Sequence, residues 1–193
     1  MQQQAQSPVA VWRHWLWLAV LVGTSVAFTL GLACAVPLAA FAAAAALTLS
    51  RQDALVLIIA VWLANQLVGF TMLDYPWTAS TISWGIALGT VAVLATVASQ
   101  QNVRRSIDMP RAVSFTATFL VAFVVYEALL FAISVTLLGG AEIYTVAIQS
   151  RIFAANAAAF AGLLVLHRLA VSVGFALRPA VGPAMTESRA YRA

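Results

Sequence analysis

Glu127 stands inside a 27-residue run, Ala112 to Leu138, that holds no other charge. At mid-membrane a charge costs roughly 2.5–3.5 kcal/mol on insertion scales. A carboxyl there must therefore be protonated, hydrogen-bonded within a bundle or turned to a cavity where it can titrate. Arg151 or Asn156 is its candidate partner, while Tyr126 points elsewhere on the same helix. Asn65 and Gln66 form a second polar point in an apolar stretch. Consecutive helix positions lie about 100° apart, so one amide can face a cavity while the other bonds a neighbouring helix. His167 and Arg168 are expected to mark a membrane interface. Cys34 is either a small buried apolar residue or, facing a pocket, a thiolate able to ligate a soft or borderline metal.

The rest of the chain excludes most other chemistry. Sixteen residues are charged, ten basic and six acidic, and every basic residue is Arg. Without Lys there is no Schiff base, no Walker A phosphate loop and no lysine base. Two His and one Cys exclude a zinc-protease motif, a His-rich cluster, an intrachain disulfide and a C-x-x-C redox pair. No nucleophile–base pair or metal set is visible, so an enzyme is not expected. The scattered Arg residues read as topology signals rather than a nucleic-acid surface.

These residues need helices to hold them, and the composition supplies those helices. With 63 % hydrophobic residues and 8 % charged, the chain has more apolar surface than a soluble domain of this size can bury. A bilayer core about 30 Å thick takes about 20 apolar residues per helix. Trp15 to Ser50 carries no charge over 36 residues, roughly 54 Å as one helix, too long for a single span. A break at Pro37 gives an all-α bundle of six spans near 11–32, 37–50, 53–73, 81–99, 112–138 and 152–177 in a single domain, with 179–193 a flexible cytoplasmic tail. One tilted first helix would give five spans instead. The first apolar run is too long for a secretory h-region, so cleavage at Ala33-Cys34-Ala35 is not expected. With six spans and both termini cytoplasmic, nine of the ten Arg fall inside and only Arg151 outside, a strong positive-inside bias.

Small residues recur every four positions at Gly23, Ala27, Gly31, Ala35 and Ala39, with shorter series at Gly85–Gly89 and Ala154–Ala158–Gly162. Such faces let another backbone approach closely, either inside the bundle or in another membrane protein. Two loops on the outer side are rich in aromatic and polar groups. One contains Met72, Asp74, Tyr75, Trp77 and Thr78; the other contains Glu142, Tyr144 and Gln149. These are either interfacial anchors or the walls of an outward-facing pocket. Asn65, Gln66 and Asn156 lie beneath them.

Six short spans, both termini inside, the small-residue face of the first span and the outer loops together resemble the S components of energy-coupling-factor (ECF) vitamin transporters. The stretch Trp62-Leu63-Ala64-Asn65-Gln66-Leu67-Val68-Gly69-Phe70, through Asp74-Tyr75-Pro76-Trp77-Thr78 to Trp84-Gly85, is similar to the BtuM type, the cobalamin branch. The resemblance implies a bacterial inner-membrane protein that binds a vitamin from outside, with cobalamin as the transported ligand and no cofactor of its own. On that basis Asn65, Gln66, Met72, Asp74, Tyr75, Trp77, Thr78, Tyr144 and Asn156 are candidate pocket contacts, with Glu127 as a deeper polar floor. Gly23, Ala27 and Gly31 become docking residues for a transmembrane coupling subunit driven by cytoplasmic ATPases. Some BtuM-type proteins offer a Cys to cobalt near the third span. Here that region reads Gly69-Phe70-Thr71-Met72-Leu73, without Cys, so the thiol role does not carry over, and Cys34 or the weaker Met72 thioether is the candidate substitute for a cobalt ligand. Two alternatives stand beside this expectation: a proton- or ion-coupled carrier or channel using Glu127, and a non-transporting membrane subunit.

Overall fold

In the computed structural model the described residues are 8–31, 36–140, 142 and 144–175, so Cys34 and the 179–193 tail lie outside them. Six α-helices follow one another: α1 Pro8–Gly31, α2 Leu38–Thr48, α3 Arg51–Met72, α4 Ala79–Arg105, α5 Arg111–Ile133 and α6 Val146–Ser172. One π-helical turn, Ser134–Leu138, prolongs α5. Strands are absent among the described residues. Five stretches are long and apolar enough to cross a membrane: Trp12–Gly31, Arg51–Met72, Ala79–Arg105, Arg111–Leu138 and Val146–Ser172.

The second helix corrects the expected span at 37–50. Its 11 residues rise only about 16 Å, half of a bilayer core. Pro37 sits at its N-cap, and Ser50 already caps α3 by accepting the Asp53 N–H at 3.2 Å. Every side chain from Leu38 to Leu47 is buried. Its sequence, LAAFAAAAALT, is mostly Ala, so it is thin enough for other helices to close around it. Helix α2 packs on α3, α4, α5 and α6, and the outer helices adjoin in the order α1, α3, α4, α5. Helix α1 meets α2 through the Phe28 and Phe41 rings, 6.2 Å apart, and α6 through Trp17 and His167, 5.9 Å apart.

Lipid cannot satisfy a helix end, so the N–H groups at the start of α2 need protein partners. The Ala40 N–H donates to the buried Asn156 Oδ1 of α6 at 3.1 Å, and Asn156 Nδ2 donates to Ile152 O at 3.0 Å. Asn156 thus acts as an N-cap supplied by another helix.

Cross-helix polar contacts align the helices. His14 Nε2 lies 3.1 Å from Asp53 Oδ1, tying α1 to α3. Gln100 Nε2 donates to Arg51 O at 3.0 Å, tying α4 to α3. Asn102 Nδ2 donates to Thr118 Oγ1 at 3.0 Å, tying α4 to α5. These contacts gather Arg13, Arg51, Arg104, Arg105 and Arg111 at one end, the basic end; Arg168, near the C-terminus of α6, joins them through the Trp17–His167 contact. Arg151 lies at the opposite end, near the start of α6. The expected boundary at Ser99 moves to Arg105 because Gln100 and Asn102 bind neighbouring helices at this end. The expected start of the last span at 152 moves to Val146, where Thr145 accepts the Ile148 N–H at 3.3 Å.

The α3–α4 seam relies on close approach. Trp62 Nε1 donates to Gly85 O at 2.7 Å, and a Cβ at Gly89 would lie 2.5 Å from Trp62 Cε2. The Gly85–Gly89 series therefore packs inside the bundle. Between α5 and α6, aromatic rings fill the space: Phe119 stacks on Phe160 at 5.0 Å, and Phe123 meets Phe153 edge-on at 5.1 Å.

Replacing Asn156 with Leu removes the acceptor at the start of α2 and should cost about 0.5–2 kcal/mol, the usual range for a lost N-cap. Thermal unfolding in detergent should show a lower Tm for Asn156→Leu and a smaller loss for Asn156→Asp. Gly89→Leu, which drives a side chain into Trp62, should abolish recovery of monodisperse protein by size exclusion.

Candidate functional site

At the end opposite the Arg cluster, α3 and α4 are joined by a short turn built on its own aromatic rings. Asp74 takes a left-handed backbone, φ 51°, which Asp tolerates better than most residues. This reverses the chain so that the Tyr75 N–H donates to Gly69 O at 3.1 Å. The Tyr75 ring lies so close over Gly69 that a Cβ there would collide with it. Phe70 meets Tyr75 edge-on at 6.0 Å and Trp77 at 4.3 Å. Thr78 caps α4, accepting the Thr81 N–H at 3.2 Å. Met72, Asp74 and Trp77 are exposed, Trp77 at 76 %. Of the residues expected to line a pocket in this loop, Tyr75 and Thr78 hold the turn together, and Met72, Asp74 and Trp77 form its exposed surface.

Asn65 and Gln66 separate as helix geometry requires. Gln66 lies against the Gly85 backbone of α4. Asn65 is only 5 % exposed, and its Oδ1 has no hydrogen-bond partner. Because α2 and α3 are joined by only Leu49 and Ser50, equal rise brings the start of α2 level with Val61 and Trp62 of α3. Asn65 then sits about one turn beyond the start of α2. There the ring of long helices continues without a central helix among the described residues.

Across the ring, Glu127 of α5 is half-buried and contacts Gln149 of α6. This corrects both expected partners: Asn156 is committed to α2, and Arg151 is exposed. Tyr144 stands in the connection above. Its ring meets Phe131 edge-on at 4.9 Å, and it stands near Glu127. Burial, and secondarily Glu127, push the Tyr144 phenol above its ordinary value, so its O–H remains a donor at neutral pH. The π turn positions this connection. Ser134 Oγ donates to Gly139 O at 2.8 Å, the Gly139 N–H donates to Ser134 O at 2.9 Å, and Gly139 takes φ 78°. Gly140 lies beside the Trp84 ring of α4.

The structure thus brings Glu127 and Tyr144 together with Gln149 and with Phe131, a residue without a polar signal in the sequence. Gln149, expected in the outer loop, is helical because α6 starts early at the Thr145 cap, and this turns it to Glu127. The stripe Gly23, Ala27 and Gly31 is exposed, with nothing near either glycine, and so are Ala154, Ala158 and Gly162. His167 is buried against Trp17, whereas Arg168 is exposed. No group of His, Cys, Asp and Glu able to hold a metal occurs among the described residues.

No family model, curated protein or solved structure matches the chain.

Gly69→Val should displace the Tyr75 ring and unlock the turn. Limited proteolysis between α3 and α4 should then be at least severalfold faster, while Gly23→Val, in open space, should leave it unchanged.

Proposed function

We propose that the protein is a membrane-embedded binding component for vitamin uptake, taking a cobalamin-like corrinoid at the end opposite its Arg cluster. The observation that carries this reading is the buried Asn65 amide, whose oxygen lacks a partner just beyond the start of the short central helix. A buried amide acceptor costs about 1–3 kcal/mol if left unmet, and a ligand bearing N–H donors would meet it. Glu127 and Gln149 add acceptors on the α5–α6 side, and Tyr144 adds a hydroxyl that can donate or accept. The periphery of a corrinoid carries primary amides, which match such a wall, and its apolar faces suit Trp84, Phe131 and Tyr144.

Orientation belongs to the same proposal. The Arg-rich end faces the cytoplasm by the positive-inside rule, so the site opens outward in a bacterial inner membrane. The exposed Gly23–Ala27–Gly31 face of α1 is the surface offered to a transmembrane coupling subunit, and ATP hydrolysis belongs to partner ATPases. Where the resemblance to S components supplies a Cys for cobalt, this chain has only Cys34, outside the described residues, and Met72, which is exposed.

Purified protein should bind cyanocobalamin without ATP, read by calorimetry and by the corrinoid absorbance that stays with the protein on gel filtration. Asn65→Leu and Glu127→Leu should each weaken binding about tenfold or more, the equivalent of about 1.4 kcal/mol. Gly23→Leu with Ala27→Leu should leave affinity unchanged while abolishing uptake in cells. Absence of binding to any corrinoid by the folded protein would overturn the proposed ligand.

A further inference from the structure

A second polar site lies nearer the basic end, away from the proposed ligand. Trp17 and Leu21 of α1, Phe41, Ala44, Ala45 and Thr48 of α2, Leu57 of α3, and Leu163 and His167 of α6 surround a cavity of about 10 Å³. Its wall is almost entirely apolar, but not the atoms that matter. Trp17 is 4 % exposed and His167 8 %, and Trp17 Nε1 and both ring nitrogens of His167 are buried without a hydrogen-bond partner. Thr48 Oγ1 donates to Ala44 O at 2.7 Å, which leaves its lone pairs free to accept.

Three features fix the occupant. A volume near 10–15 Å³ is the space of one water molecule. Buried water needs two to four polar partners, and the wall offers a donor in the indole N–H and acceptors in an imidazole nitrogen and a hydroxyl. The indole and imidazole do not satisfy one another: their rings are tilted by 52° with centroids 5.9 Å apart, and neither makes a hydrogen bond.

We propose that this cavity binds one structural water. Trp17 Nε1 donates to it, and it donates to the accepting ring nitrogen of His167 and to Thr48 Oγ1. The water links α1, α2 and α6. Among the described residues no direct hydrogen bond joins α1 to α6, so the bridge is the polar connection across that seam. Together with the His14–Asp53 contact it anchors the basic-end half of α1 and leaves the Gly23–Ala27–Gly31 half free of polar ties.

Solution NMR of the full chain in detergent micelles, labelled with ¹⁵N-Trp and ¹⁵N-His, tests the site. Trp17→Phe assigns the indole signal, and His14→Gln identifies His167 by elimination. The Trp17 indole proton should show a cross-peak to a water of long residence. Ala45→Val, which fills the cavity while keeping both rings, should erase that cross-peak, move the His167 ring nitrogen signal and lower the Tm by stranding both groups. A Trp17 indole proton without a water cross-peak in the wild-type protein would overturn the proposal, as would a cross-peak that survives in Ala45→Val.

Discussion

Everything in this structure depends on one buried helix end. Helix α2 begins inside the bundle, where neither water nor lipid can satisfy its first N–H groups. Asn156 reaches from α6 to accept the Ala40 N–H. The run of Ala residues then lets α3, α4, α5 and α6 pack against an almost bare backbone. Thinness and capping are linked: a helix with larger side chains would push its neighbours apart, and an uncapped one would leave polar backbone in an apolar interior. The gain comes from dispersion contacts and satisfied hydrogen bonds, since lipid tails give apolar side chains no hydrophobic reason to leave them.

A short central helix divides the molecule into unequal halves. Toward the basic end the ring is filled by α2, and His14–Asp53, Gln100–Arg51 and Asn102–Thr118 tie the helices pairwise. Toward the other end the polar groups are placed differently. Asn65 has an unmet oxygen, Glu127 contacts the Gln149 amide, and a π turn with Gly139 holds the covering connection. π-helical turns are rare, and those inside α-helices are frequent at functional sites. This asymmetry gives the proposed ligand site its position.

The sequence made the long helices legible, because charge-free runs bounded by Arg, Pro and hydroxyl caps are strong signals. Pro37 marked the break before α2, and Gly85–Gly89 marked a close seam. The length of α2 was not legible. An Ala-rich run up to Ser50 looks the same whether it crosses the membrane or stops midway, and only the Ser50 cap on α3 ends it. The role of Asn156 was equally hidden, because a cap given by a residue 116 positions away leaves no local pattern. Among the site residues, Glu127 and Asn65 stood out as polar groups in apolar runs. Tyr75 and Thr78 did not differ in sequence from pocket residues, although one packs over Gly69 and the other caps a helix. His167 and Arg168 are neighbours in the sequence, yet one helical step puts the first on a buried face and the second on an exposed one.

Accessibility of α2 tests the central constraint most directly. In a Cys34→Ser background, single Cys substitutions at Ala39, Ala42, Ala43, Ala44, Ala45 and Ala46 cover every side of the helix. Each should resist a lipid-soluble maleimide in the folded protein and react fully in denaturing detergent. A stripe of rapid labelling on one side in the folded state would show α2 to be an ordinary lipid-facing span, and would contradict the account.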